Sequence, residues 1–179
     1  MRLAGDLSTV LISTGRLTLR SFTPGDARES FVEATPQIAT YMSWNAIESE
    51  DEYRPVWQGM IANMMAGTDL GLVARLKSTG EFIGIVGLHG AEGDLLETGL
   101  WLKEPAQGHG YGREAVAAVV AWASEHYRPG GFLYPVVDEN VASCRLAESL
   151  GGRVTGMRQR QKPRDSMRTL LLYVIPAAG

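Results

Sequence analysis

The sequence predicts an α/β (α+β) fold in one domain, built on a mixed, mostly antiparallel central sheet of about six to seven strands with helices on both faces. Three observations carry that prediction. Short apolar or alternating runs bounded by turn residues recur from residue 16 to residue 175, as strands do. Stretches with helical spacing and capping residues lie among them. One stretch, 95–127, joins an apolar strand to a helix opening at Arg113 through the loop Gln107-Gly108-His109-Gly110-Tyr111-Gly112.

Residues 1–14 show no clear periodicity and read as an N-terminal extension. Residues 16–20 alternate polar and apolar, so the first strand is expected to start near Gly15. Thr23, Pro24 and Asp26 supply an N-cap, a first-turn proline and an acidic first turn for a helix reaching about Ala34, before Pro36 limits it. Ser49 and Glu52 have capping-box spacing ahead of a helix over 56–65 that Gly67 stops. Pro55 removes a helix hydrogen bond there, so a shifted start or a kink is expected. Tyr41, Met42 and Trp44 fall in the loop between these helices, either plugging the edge of the core or walling an acceptor site.

Residues 70–76 and 82–88 read as two strands joined by a five-residue turn containing Gly80. A second turn, 90–94, leads to a third strand at 95–102 that ends at the glycine loop. In the next helix Val116, Val119, Val120 and Ala123 have the spacing of a packed face. Pro129-Gly130-Gly131 breaks the chain, 132–137 is a short apolar strand, and Asn140 opens a helix ending at Gly151-Gly152. Residues 153–161 and 167–175 form a last antiparallel pair around a turn at 162–165. The basic residues at 153, 158, 160, 162, 164 and 168 read as a solvated hairpin face, with an anionic partner as the alternative.

The 179 residues are enough for one domain with a sizeable core. Seventeen basic against twenty acidic residues give a net charge of −3, which argues against general nucleic-acid binding. No apolar run has the roughly 18 residues of a membrane span, and the N-terminus lacks a secretory pattern, so a cytoplasmic location is expected. Cys144 is the sole cysteine. It has no partner for a disulfide and no Cys or His at metal-ligand spacing, so no metal site is expected. A homodimer is compatible with the sequence, but no stretch demands one.

The loop's three glycines allow a sharply bent backbone that approaches a ligand closely, and the helix after it presents unpaired N–H groups with a partial positive charge. That combination suits a phosphate. The Gly-Lys-Ser/Thr ending of a Walker loop is absent, and Arg113 stands where a dinucleotide loop needs its third glycine. The fuller pattern, Gln107-x-x-Gly110-x-Gly112, resembles the acyl-CoA signature of the GNAT acetyltransferases. Glu97-Thr98-Gly99-Leu100-Trp101-Leu102, Asn140-x-x-Ser143 and Leu150-Gly151-Gly152 resemble the branch named for RimJ and RimL, which acetylate ribosomal-protein N-termini. The resemblance runs through roughly residues 15–175.

It implies an acetyl-CoA-dependent N-acetyltransferase without a metal, acting on a primary amine: a protein N-terminus or a small molecule. The N–H groups from Gly108 to Arg113 would hold the pyrophosphate, with charge added by His109 and Arg113, and Gln107 and Tyr111 belong to the same signature. The pantetheine arm would run along Leu100, Trp101 and Leu102, where Trp101 reads equally as core packing. Glu97 stands where the family often places a base, against a reading as a surface or ion-paired carboxylate; Glu92 and Asp94 are nearby substitutes. The tyrosine acid of many GNAT enzymes is replaced here by Ala147, and Ser143 takes the position that the RimJ and RimL branch suggests instead. The resemblance also places Asn140 and Ser143 among the cofactor-binding residues, and the pair equally has the spacing of a helix cap and first-turn residue. Cys144 reads as packing, since attack in a ternary complex needs no acyl-enzyme. A different class of answer is a catalytically silent acyl-CoA sensor or scaffold whose acceptor pocket is closed.

Overall fold

The computed structural model describes residues 1–161 and 167–179; the turn expected at 162–165 lies outside them. Eight strands form one sheet in the order β1-β2-β3-β4-β5-β6-β8-β7. They are β1 (Leu11–Ser13), β2 (Leu17–Ser21), β3 (Asp69–Leu76), β4 (Phe82–Gly90), β5 (Leu95–Leu102), β6 (Gly131–Val137), β7 (Arg153–Gln161) and β8 (Met167–Ile175). Every neighbouring pair is antiparallel except β5 and β6.

The strand β1 was not legible in the sequence. It is three residues long and buries only Ile12, too little for an alternation to register. The rest of the supposed extension is also anchored: Leu3 and Leu7 are buried, and the N-terminal ammonium donates to the carbonyls of Ala91 (2.6 Å) and Gly93.

Helices α1 (Ala27–Glu33) and α3 (Glu50–Met65) lie on one face of the sheet, with the one-turn α2 (Pro36–Ala39) between them in sequence. Ser49 Oγ caps α3 by accepting from Glu52 N (3.2 Å). The helix therefore starts at Glu50 and carries Pro55 within it, rather than starting beyond the proline. Asp26, at the entry to α1, is 1% exposed. It accepts from Arg20 (2.6 and 2.7 Å), Arg75 (3.0 Å) and Thr23 N (2.9 Å). Burial alone raises its pKa, but these donors outweigh it and hold the carboxyl well below the usual range.

Helices α4 (Tyr111–Tyr127) and α5 (Val141–Ser149) cover the opposite face. Val116, Val119, Val120 and Ala123 of α4 are buried there, as their spacing predicts. The large buried side chains Leu17, Leu19, Leu70, Leu72, Phe82, Leu88, Leu96 and Phe132 fill the space around the central strands.

The consequence for function lies between β5 and β6. Their parallel register covers only Leu95–Gly131, Leu96–Phe132 and Glu97–Leu133. Beyond Glu97 no strand pairs with β5 on that side among the described residues, so main-chain donors and acceptors face an opening.

Candidate active site

Two cavities flank that opening. The first, of about 740 Å³, runs from the glycine loop along β5 to the start of α5. Of the twelve residues expected to bind the cofactor, Leu100, Trp101, Leu102, Gln107, Gly108, Gly110, Gly112, Arg113, Asn140 and Ser143 line it. The side chains of His109 and Tyr111 do not. They stack on each other with centroids 5.7 Å apart, and Arg16 lies 4.5 Å above the Tyr111 ring. Arg145, which no motif marked, lines the cleft beside Arg113.

The loop's shape has local causes. Gly108 and Gly110 sit at φ +77° and +78°, where a side chain is strained. Gly112 is needed for space instead: a Cβ there would lie 3.0 Å from Leu146 and 3.3 Å from Leu100. Helix α4 begins at Tyr111, two residues earlier than expected, with Gly110 as its N-cap. Glu114 N is the first helical donor, to Gly110 O (3.2 Å), so the N–H groups of Tyr111, Gly112 and Arg113 are left for an anion.

Contacts outside the cleft brace the loop. Glu114 accepts from Thr14 Oγ1 (2.6 Å), Arg16 N (2.8 Å) and Arg16 Nε (2.7 Å). Burial raises the Glu114 pKa, yet these bonds win and lower it. Arg16 also donates to His109 O (3.0 Å), and Gln107 Nε2 to Leu102 O (3.0 Å).

The second cavity, of about 400 Å³, opens on the face carrying α3. Its floor is a row that the register lines up across three strands: Gly71 of β3, Gly87 of β4 and Gly99 of β5. A Cβ on Gly99 would meet nothing within 4 Å, so its emptiness is room above the sheet. Two residues along lies a parallel row of Asp69, His89 and Glu97, also lining the cavity. His89 Nδ1 is 2.9 Å from Asp69 Oδ1. Glu97 is half-buried, whereas Glu92 and Asp94 lie exposed in the β4–β5 turn and line neither cavity.

Tyr41, Met42 and Trp44 line this cavity, which favours the acceptor wall over the core edge. Trp101 serves in both ways expected of it, lining both cavities and packing on Phe82 at 5.7 Å. The basic hairpin divides as well. Arg153 and Arg158 are exposed, but Arg160 turns into the second cavity, so it is no part of a solvated face. Lys162 and Arg164 lie outside the described residues.

The two cavities share Tyr41, Met42, Leu100, Trp101, Asn140 and Ser143. Asn140 caps α5, its Oδ1 accepting from Ser143 N (3.1 Å), so the structural reading of that pair holds alongside its place in the cleft. Ser143 Oγ lies 2.9 Å from Tyr134 Oη. Tyr134 is 2% exposed; burial raises its pKa, which the Ser143 bond lowers in part, leaving it pushed up to about 12. Cys144 lines neither cavity.

The profile of the Acetyltransferase (GNAT) domain family matches residues 16–153. The chain belongs to the GNAT acetyltransferases. No curated protein matches it. Among solved structures, RimJ of Mycobacterium smegmatis, in complex with a CoA disulfide, is 18% identical with a TM-score of 0.83, covering 97% of this chain and 90% of that one. The Salmonella typhimurium acetyltransferase that modifies the N-terminal serine of ribosomal protein L7/L12 is 17% identical with a TM-score of 0.81, covering 93% and 99%. A GNAT-family acetyltransferase of Bacillus anthracis is 18% identical with a TM-score of 0.80, covering 94% and 99%.

This GNAT protein is an acetyl-CoA-dependent acyltransferase that acetylates amines. The residues present suit acetyl-CoA as substrate: a helix N-terminus and two arginines for its phosphates, and an unpaired strand edge for its amide-bearing arm. Among the described residues no group of His, Cys, Asp and Glu could hold a metal ion, and no helix is long and apolar enough to cross a membrane.

Proposed function

We propose that the acceptor is a primary amine, on a protein N-terminus or a small molecule, and that it attacks the thioester directly in a ternary complex. The meeting of the two cavities at Leu100, Trp101, Asn140 and Ser143 carries this reading. Acetyl-CoA enters along β5 from the loop, the amine arrives over the open Gly99, and the two have a common point of contact. A sensor with a closed acceptor pocket does not suit so open a second cavity.

The proposed division of labour follows the chemistry. Main-chain N–H groups of residues 108–113, with Arg113 and Arg145, bind the phosphates. The free edge of Leu100–Leu102 pairs with the pantetheine amides, and one N–H there donates to the oxyanion that develops on the thioester carbonyl. Glu97 takes the amine's proton. Ser143, its Oγ held by Tyr134 Oη, donates a hydrogen bond to the departing thiolate, which takes its proton from solvent on release.

Initial rates of thiol release, with acetyl-CoA and a panel of N-terminal peptides and small amines varied together, test the mechanism. Intersecting double-reciprocal lines are expected; parallel lines would point to an acyl-enzyme, and CoA binding without turnover on any acceptor to a sensor. The hydrogen bond between Tyr134 and Ser143 adds a second expectation. Tyr134→Phe slows turnover about tenfold with CoA affinity unchanged, and adding it to Ser143→Ala costs nothing further, because the tyrosine acts only through Ser143. Wild-type turnover in Tyr134→Phe would remove the tyrosine from the mechanism.

A further inference from the structure

Arg160, on β7, is the one guanidinium among the described residues that line the acceptor cavity. Its Nε is buried without a hydrogen-bond partner, and it enters no ion pair among the described residues. Its neighbour on the adjoining strand does find a charge partner. Arg168, directly across the β7–β8 ladder, donates to Glu139 at 2.6 Å. Arg160 is held differently: burial lowers its pKa, Arg158 lowers it further, and Glu97 is the favourable charge that partly offsets both.

A half-buried guanidinium without a partner is costly, and the cost is recovered when an anion arrives. Two occupants fit poorly. The phosphates of CoA belong to the other cleft, which Arg160 does not line. Glu97 shares the cavity, but the two side chains form no ion pair within it, so mutual neutralisation is not their arrangement. What remains is the acceptor itself.

We propose that Arg160 is a specificity-determining residue that selects acceptors bearing a carboxylate as well as the amine, an inference that rests on the acetyl-transfer reading above. The cavity then recognises its ligand at two points. The row of Asp69, His89 and Glu97 attracts the ammonium, and Arg160 receives the carboxylate through its planar, bidentate donors. A free amino acid presents this chemistry, and so does a peptide with an acidic residue beside its N-terminal amine.

Two matched pairs of acceptors test it: 4-aminobutyrate against 4-aminobutanamide, and the peptide amides Ser-Asp-Ala-Ala against Ser-Asn-Ala-Ala. In at least one pair, kcat/KM of the wild-type protein is expected to favour the carboxylate by about tenfold or more. Arg160→Gln should bring that ratio near one, chiefly through KM, and Arg160→Lys should keep part of it. Preference within the first pair alone assigns a small amino acid; within the second alone, a peptide N-terminus. Turnover with no preference in either pair overturns the proposal, as does an Arg160→Gln variant that loses rate on both members equally, which would mean that Arg160 acts through Glu97. Absence of turnover on all four acceptors while the wider amine panel is acetylated overturns this inference alone; absence on the whole panel, with CoA still bound, overturns the acetyl-transfer reading and this inference with it.

Discussion

The expected result of Gly108→Asp is a chain that folds but no longer binds CoA measurably. Gly108 lines the cofactor cleft at φ +77°, and a Cβ built on it would meet nothing within 4 Å. Aspartate is among the few residues that tolerate this conformation, at a strain of roughly 1 kcal/mol. Its carboxylate would stand beside the phosphates. Like charges about 4 Å apart at an effective dielectric near 20 repel by about 4 kcal/mol. Even after screening by salt this leaves a loss on the order of a hundredfold or more in affinity.

Gly108→Asn carries the same strain without the charge, so it isolates the electrostatic part and should lose only a few-fold. The same change at Gly110 is a poorer probe. A Cβ there lies 3.5 Å from Arg16 Nη2, and that guanidinium would absorb some of the new charge. Calorimetric titration with CoA beside a thermal melt decides the matter. If the aspartate variant binds CoA as well as the asparagine variant, no phosphate sits at this loop.

How far the site could be read from the sequence depends on whether its parts were local. The glycine loop, its strand and its helix are contiguous, so the cofactor cleft was legible nearly whole. The acceptor cavity was not, because it is made by register. Gly71, Gly87 and Gly99 look like three unrelated weak points in strands until pairing sets them side by side. Each could have been flagged as a place where something approaches the backbone closely, but not as one floor.

Arg160 failed for a related reason. Alternation along β7 puts it with exposed Arg158, and nothing local says that the hairpin carries one of the two into a cavity. Tyr134 was hidden by its success as a core residue, since an apolar strand with a tyrosine reads as packing until its hydroxyl is found 2.9 Å from Ser143. Asn140, by contrast, was legible twice over, as a helix cap and as a residue of the cleft.

The acceptor side carries the other large effect. Glu97→Gln is expected to lower kcat/KM by about a hundredfold at pH 7, and by much less at pH 9, with CoA affinity unchanged. The asymmetry comes from the amine: near pH 7 only about a tenth of an α-amine is neutral, and under a thousandth of a lysine amine. A base is therefore needed most where the free amine is scarcest, and the loss should be steeper for a lysine-like acceptor than for an N-terminus. Position supports Glu97 for the task. It is the last β5 residue paired with β6, it lies two residues before the open Gly99, and it shares that residue's face of the sheet. His89 stands directly across from it, oriented by Asp69, and is the competing candidate. The two variants separate these roles when pH–rate profiles are compared. An equal loss at both pH values in Glu97→Gln, together with a pH-dependent loss in His89→Gln, would transfer the proton to the histidine.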